Sequence, residues 1–151
     1  MDVKDYQKYR IMFKDRKIAS IEMNGHKVKS FTQPVTKNKL PKLYVVKYES
    51  KVIYVGVTSQ SIRNRLRYGL EADGKHGYHG YKWKHLSEVD ILIWCLPQGL
   101  DCIEAIEAEL VYLIRQRIGK WPKYQMEIHF HETSDGETQT AKEIFKELYE
   151  Y

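Results

Sequence analysis

The chain has 151 residues, 42% hydrophobic and 13% aromatic, with twelve tyrosines. That composition excludes a disordered chain, and the length suffices to bury a core without disulfide or metal staples, so a single domain over residues 1–151 is expected. Net charge is +5, but residues 1–70 carry sixteen lysines and arginines against five acidic residues, and residues 71–151 carry nine against fifteen. A basic half of this kind is what a phosphate-binding face produces, and equally what a solvated, mildly basic surface produces.

No apolar run reaches the length of a membrane span, and Met1 to Asp5 contain no signal-peptide core. Cys95 and Cys102 need not pair. A cytoplasmic protein with no membrane partner is expected.

Residues 1–16 are polar and basic, with Tyr6, Tyr9, Ile11, Met12 and Phe13 as anchors, and they carry no clear structural signal. Ile18–Met23 and His26–Phe31 flank Asn24-Gly25, which predicts a type I′ hairpin. This N-terminal extension, residues 1–41, either extends the sheet or carries Lys27 and Lys29 to a nucleic acid. A basic linker, residues 33–41, follows.

Leu43-Tyr44-Val45-Val46 and Val52-Ile53-Tyr54-Val55 are rich in β-branched and aromatic residues and are separated by Glu49-Ser50-Lys51. They read as a second hairpin. Gly56 ends it, and Thr58, Ser59 and Ser61 offer N-caps for a helix from about residue 60 to 70. Ile62, Leu66 and Leu70 form one face of that helix. Arg63 and Arg67 share another, and Arg65 lies elsewhere around the axis.

The loop of residues 71–85 mixes three glycines and three histidines with Tyr78, Tyr81, Trp83, Lys82 and Lys84. Aromatics interleaved with cations suit bases and phosphates, and also suit packing on a core. His76 and His79 form an H-x-x-H pair, a weak metal signal without further ligands. Residues 86–96 read as a buried strand. A helix follows, with Asp101 and Glu104 as a capping box, Ile103, Ile106, Leu110, Leu113 and Ile114 as its apolar stripe, and Gly119 as its stop. Glu104, Glu107 and Glu109 sit near one another on it. Met126–His131 reads as a short strand with His129 and His131 on one face. A C-terminal helix is expected over residues 138–151, capped by Thr140 and Glu143.

Several of these residues fall into an ordered pattern. Leu43-Tyr44-Val45 and Tyr54-Val55-Gly56 stand on neighbouring strands. Thr58-Ser59-Gln60-Ser61-Ile62-Arg63-Asn64-Arg65-Leu66 follows, then Glu107-Ala108-Glu109-Leu110-Val111, then Pro122-Lys123-Tyr124-Gln125. The set resembles the GIY-YIG nucleases, named for the two tripeptides, whose later patterns are T-x-x-S-L-x-x-R-L, E-x-x-L-I and P-x-Y-N. The resemblance covers residues 43 to 125. It implies an α+β fold in which a small antiparallel sheet of three central strands, here extended by the N-terminal hairpin, is flanked by helices. The catalytic core would span residues 42–131.

The resemblance also implies a chemistry: divalent-metal-dependent hydrolysis of DNA phosphodiester bonds. Glu107 would hold Mg²⁺ or Mn²⁺, with Glu104 as the alternative ligand one turn earlier. Arg65 would bind non-bridging phosphate oxygens, Tyr44 would be the general base, and Tyr54 would orient water or bond Tyr44. A free tyrosine ionises near about pH 10, so a cation must lie close to Tyr44. Arg63, Arg67, His76, Lys82, Lys84 and Gln125 are the expected nucleic-acid contacts. Two departures stand out. The first tripeptide lacks its glycine and isoleucine, and Gly69 stands where many members have a histidine, a role open to His76, His79 or Lys84. The expected function is a restriction-like or phage-associated endonuclease that cuts both strands either as a homodimer or by sequential nicking. A catalytically inactive nucleic-acid-binding module or a protein-interaction domain would carry the same fold.

Overall fold

The computed structural model describes residues 3–75, 77–97, 99–125 and 133–149. The described residues build an α+β structure around a six-stranded, fully antiparallel sheet with three helices. The strands are β1 (Gln7–Lys14), β2 (Lys17–Met23), β3 (His26–Val28), β4 (Lys42–Tyr48), β5 (Lys51–Thr58) and β6 (Glu88–Cys95). Their order across the sheet is β3-β2-β1-β6-β4-β5.

The three expected central strands are β5, β4 and β6, and the Asn24-Gly25 hairpin does extend them. The strand that joins the two parts is β1, in the segment for which the sequence gives no clear signal. Tyr9 and Ile11 of β1 are fully buried, and β1 pairs along its length with β6. All three hairpins turn on two residues in the left-handed region: Asp15 and Arg16, Asn24 and Gly25, Glu49 and Ser50. This backbone twist matches that of the flanking strands.

Strand β4 is buried on both faces, which explains its unbroken apolar run. Leu43 and Val45 face one core with β6 and the helices α2 (Leu100–Ile118) and α3 (Asp135–Tyr149). Tyr44 and Val46 face the other, with α1 (Ile62–Glu71), Tyr81 and Trp83. Lys42, fully buried at the start of β4, donates to the carbonyls of Lys37, Leu40 and Gln60 at 2.6 to 2.8 Å. These three bonds tie the linker to the approach of α1 and satisfy an ammonium that would be costly to bury alone.

Helix α1 starts at Ser61, whose side chain accepts from the Asn64 amide. Two expected caps fall elsewhere. Helix α2 is capped by Gly99, without a side-chain bond, and Asp101 lies inside its first turn. Helix α3 starts earlier than Thr140: Ser134 and Glu137 bond each other's backbone amides reciprocally, and Thr140 donates its hydroxyl to Gly136 within the helix. Gly119 ends α2 in the left-handed region as expected. The strand expected at Met126–His131 lies outside the described residues, as do His76 and Tyr151. No helix among the described residues is long and apolar enough to cross a membrane.

Candidate active site

Tyr44 and Gly56 face each other across the β4–β5 ladder. A Cβ on Gly56 would lie 2.6 Å from the Tyr44 hydroxyl oxygen and 2.9 Å from Cε2 of Tyr54. Glycine is therefore the residue that leaves both rings their places. Tyr44 is fully buried, and its hydroxyl makes a 2.7 Å hydrogen bond with that of Tyr81. Burial, with Tyr81 alongside, pushes the Tyr44 pKa well above the usual tyrosine range, although Arg65 pulls it the other way. The cation expected near Tyr44 is thus present, but desolvation outweighs it. Tyr54 is raised as well, by burial first and then by Tyr44.

Helix α1 is anchored by Ile62, Leu66 and Leu70, all fully buried. That anchoring aims the three arginines differently. Arg65 turns inward, with its guanidinium 4.7 Å from the Tyr81 ring centroid and 5.8 Å from that of Tyr78. Its Nη1 atom is buried and has no hydrogen-bond partner among the described residues. Burial opposes its charge, yet Tyr44, Tyr81 and a hydrogen bond with Tyr78 together outweigh that opposition and hold its pKa above the usual arginine value. Arg63 is exposed and lies over Phe31 at 5.9 Å. Arg67 is exposed and bonds Asn64.

Helix α2 lays Ile103, Ile106 and Leu110 against the sheet. Glu107, next to Ile106, keeps only 9% of its surface exposed. Because β5 is the edge strand, elements from both faces of the sheet meet beyond it. A cleft of about 530 Å³ opens there. Tyr54, Gly56, Arg65 and Tyr81 line it from the α1 side, Glu104 and Glu107 from α2. His79, Lys82, Tyr124 and Gln125 complete its wall. Glu109 is not among the lining residues, and neither is Tyr44. A larger groove, of about 630 Å³, runs along the outer side of α1 past Arg67, Tyr68 and Tyr78. It lacks the buried carboxylate and the inward guanidinium, so the edge cleft is the stronger candidate site.

Two carboxylates one helical turn apart on an open cleft suit a hard cation that keeps several water ligands, as Mg²⁺ does. No group of three or more His, Cys, Asp and Glu side chains gathers among the described residues. The donor set fits Mg²⁺ or Mn²⁺ held by one or two carboxylates and substrate oxygens, and offers no closed cage of the zinc type.

The remaining expected contacts divide. Lys82 is exposed and lines the cleft. Lys84 points its ammonium at the carbonyls of Ala72 and His79, so it fastens the loop rather than reaching the cleft. Gln125 reaches the cleft wall, but its amide accepts from the Val55 amide and donates to the Val55 carbonyl. With Tyr124 donating to Ile53, this segment covers the open edge of β5 as a short strand would.

Tyr81 has no place in the expected site, yet it sits at its centre. A Cβ on Gly69 would lie 2.1 to 2.7 Å from three atoms of the Tyr81 ring. The ring fills the space that a side chain at position 69 would take. A Cβ on Gly80 would meet the Gly69 carbonyl oxygen just as closely, and Tyr81 donates its amide to that carbonyl at 3.0 Å. The available signal was a glycine inside a helical pattern, which marks close approach by another part of the chain. No family model matches the chain, and neither a curated protein nor a solved structure matches it.

Proposed function

We propose that the chain is a divalent-metal-dependent phosphodiester hydrolase. The observation that carries this reading is the convergence of Glu107, Tyr54 and Arg65 on one open cleft, with the buried Arg65 Nη1 beside it lacking a hydrogen-bond partner among the described residues. A buried guanidinium nitrogen without a partner is costly, and a phosphate oxygen is the ligand its geometry suits best. More particularly, we read the chain as a DNA endonuclease of the GIY-YIG type. Motif residues from β5, α1 and α2, far apart in sequence, line the same cavity in support of that reading.

In this account Glu107 holds Mg²⁺ or Mn²⁺, with Glu104 beside it. The bound ion supplies charge stabilisation at the phosphate oxygens and a more acidic water. Arg65 Nη1 donates to a non-bridging oxygen, which orients the phosphorus and spreads the charge that develops there. Tyr54 orients the attacking water from the cleft wall. Gly56 leaves the Tyr44 and Tyr54 rings their places beside the cleft. Arg63, Arg67 and Lys82 meet phosphates along the strand, and the basic half of the chain supplies the surrounding field. One cleft cuts one strand, so cleavage of a duplex uses two copies or two encounters.

The sealing of Tyr44 favours one competing reading, a nucleic-acid-binding module that has lost catalysis. Incubation of supercoiled plasmid with the protein in Mg²⁺, Mn²⁺ or EDTA separates the two. Nicked or linear DNA in either metal and none in EDTA is the expected result. DNA that is bound yet uncut in both metals would establish the binding module instead.

A further inference from the structure

We propose that Tyr81 is the group that accepts the proton from the attacking water, and that Tyr44 is a positioning residue that donates a hydrogen bond to it. This rests on the hydrolase reading above, and it departs from the assignment of the base to Tyr44 that the sequence resemblance implies.

Access comes first. Tyr81 is buried too, with 3% of its surface exposed, but it lines the cleft, and Tyr44, with none exposed, does not. Tyr44 is fully buried, and its hydroxyl meets that of Tyr81 at 2.7 Å. A proton leaving a water molecule in the cleft therefore reaches Tyr81 before Tyr44.

Charge comes second. The groups facing Tyr81 are Tyr44 from β4, Tyr54 from β5, Arg65 from α1 and Tyr78 from the loop. Arg65 is the cation among them, 4.7 Å from the Tyr81 ring centroid. When one hydroxyl of a bonded pair ionises, the other donates to it. Burial is the largest cause and holds Tyr81 above the usual tyrosine range, with Arg65 and the bond from Tyr44 pulling it part of the way back, whereas the same bond pushes Tyr44 further up. The phenolate of the pair thus settles on Tyr81.

Construction comes third. The ring occupies the space above Gly69, and Trp83 stacks on it at 4.3 Å with 19° between planes. Its orientation is fixed by α1 on one side and a fully buried indole on the other, and a base needs such fixing to hold its oxygen in line.

Tyr81 first gives its hydroxyl proton to solvent. A water O–H bond breaks and its proton joins the Tyr81 phenolate oxygen. The water oxygen forms its bond to phosphorus. The scissile P–O bond breaks with its electron pair on the leaving oxygen, which takes a proton from solvent. Tyr81 then returns its proton to solvent.

The test places 2,3,5-trifluorotyrosine, an isostere with a more acidic phenol, at position 81 or at position 44 of the full chain. Single-turnover cleavage in Mg²⁺ is followed against pH. At position 81 the rising limb moves down by about one pH unit or more, and at position 44 it moves much less. Tyr81→Phe slows cleavage by about 100-fold, while Tyr44→Phe slows it by about tenfold and displaces the limb upward. A limb that follows substitution at 44 and ignores substitution at 81 would overturn the proposal. Phenolate absorbance of the same two proteins gives a readout independent of cleavage. Ionisation at 81 before 44 is expected, and the reverse order overturns the assignment even if no protein cuts DNA. Absence of cleavage by the wild type in every metal would instead count against the hydrolase reading.

Discussion

At the scale of single residues, the site depends on two glycines placed against tyrosines. Gly56 lies opposite Tyr44 in the ladder, and an added methyl group would meet the buried Tyr44 ring and the partly buried Tyr54 ring rather than the end of a flexible side chain. Gly56→Ala is expected to cost about 1–3 kcal/mol of stability through overpacking, read as a lower midpoint in urea, with cleavage reduced beyond the loss of folded protein. The pattern that marked Tyr54, Arg65 and Glu107 was legible because helical periodicity separates Arg65 from Arg63 and Arg67, and because each motif is local. Tyr81 was not legible. Its place depends on a loop folding back over α1 until Gly80 touches Gly69, a contact that no periodicity encodes. The second role of Gln125 was hidden for a related reason: its amide suits a nucleic acid and the open edge of a strand equally, and only the fold shows that it closes the edge of β5 while lining the cleft.

At the scale of elements, the hairpins were readable where turn chemistry was strong. Asn24-Gly25 is the favoured pair for two left-handed residues, and it forms the turn expected. Asp15-Arg16 adopts the same backbone without a glycine, so β1 gave no signal, and its partner β6 lies too far along the chain to be inferred. Helix starts were harder, because S/T/D-x-x-E recurs at several registers. Ser134 with Glu137 provides a complete box ahead of Thr140 with Glu143, so α3 begins at the earlier one. The central hairpin turns on Glu49 and Ser50, both with positive φ. Replacing this pair with Asn-Gly removes strain of about 1 kcal/mol. The melting temperature is expected to rise by about 2–4 °C, with cleavage unchanged because the turn lies away from the cleft. Calorimetry on the paired proteins checks it, and an unchanged or lower temperature would mean that other contacts of Glu49 and Ser50 outweigh the turn.

At the scale of the molecule, the charge asymmetry becomes a prediction about salt. Contacts from Arg63, Arg65, Arg67 and Lys82 to about four phosphates give a log–log salt slope of about −3.6, so duplex affinity falls by about 150-fold between 50 and 200 mM salt. Arg67→Ala should flatten that slope by about one unit, and a slope near zero for the wild type would remove the phosphate-tracking account. The central claim is that the edge cleft beyond β5 is a catalytic centre. Its most direct test is plasmid cleavage in Mg²⁺ by the wild type beside Glu107→Ala, Arg65→Ala and the surface control Lys142→Ala, each verified as folded by circular dichroism. The account predicts that the control cuts as the wild type does and that each cleft variant loses about 100-fold or more. A folded Glu107→Ala protein that cuts at the wild-type rate would contradict it.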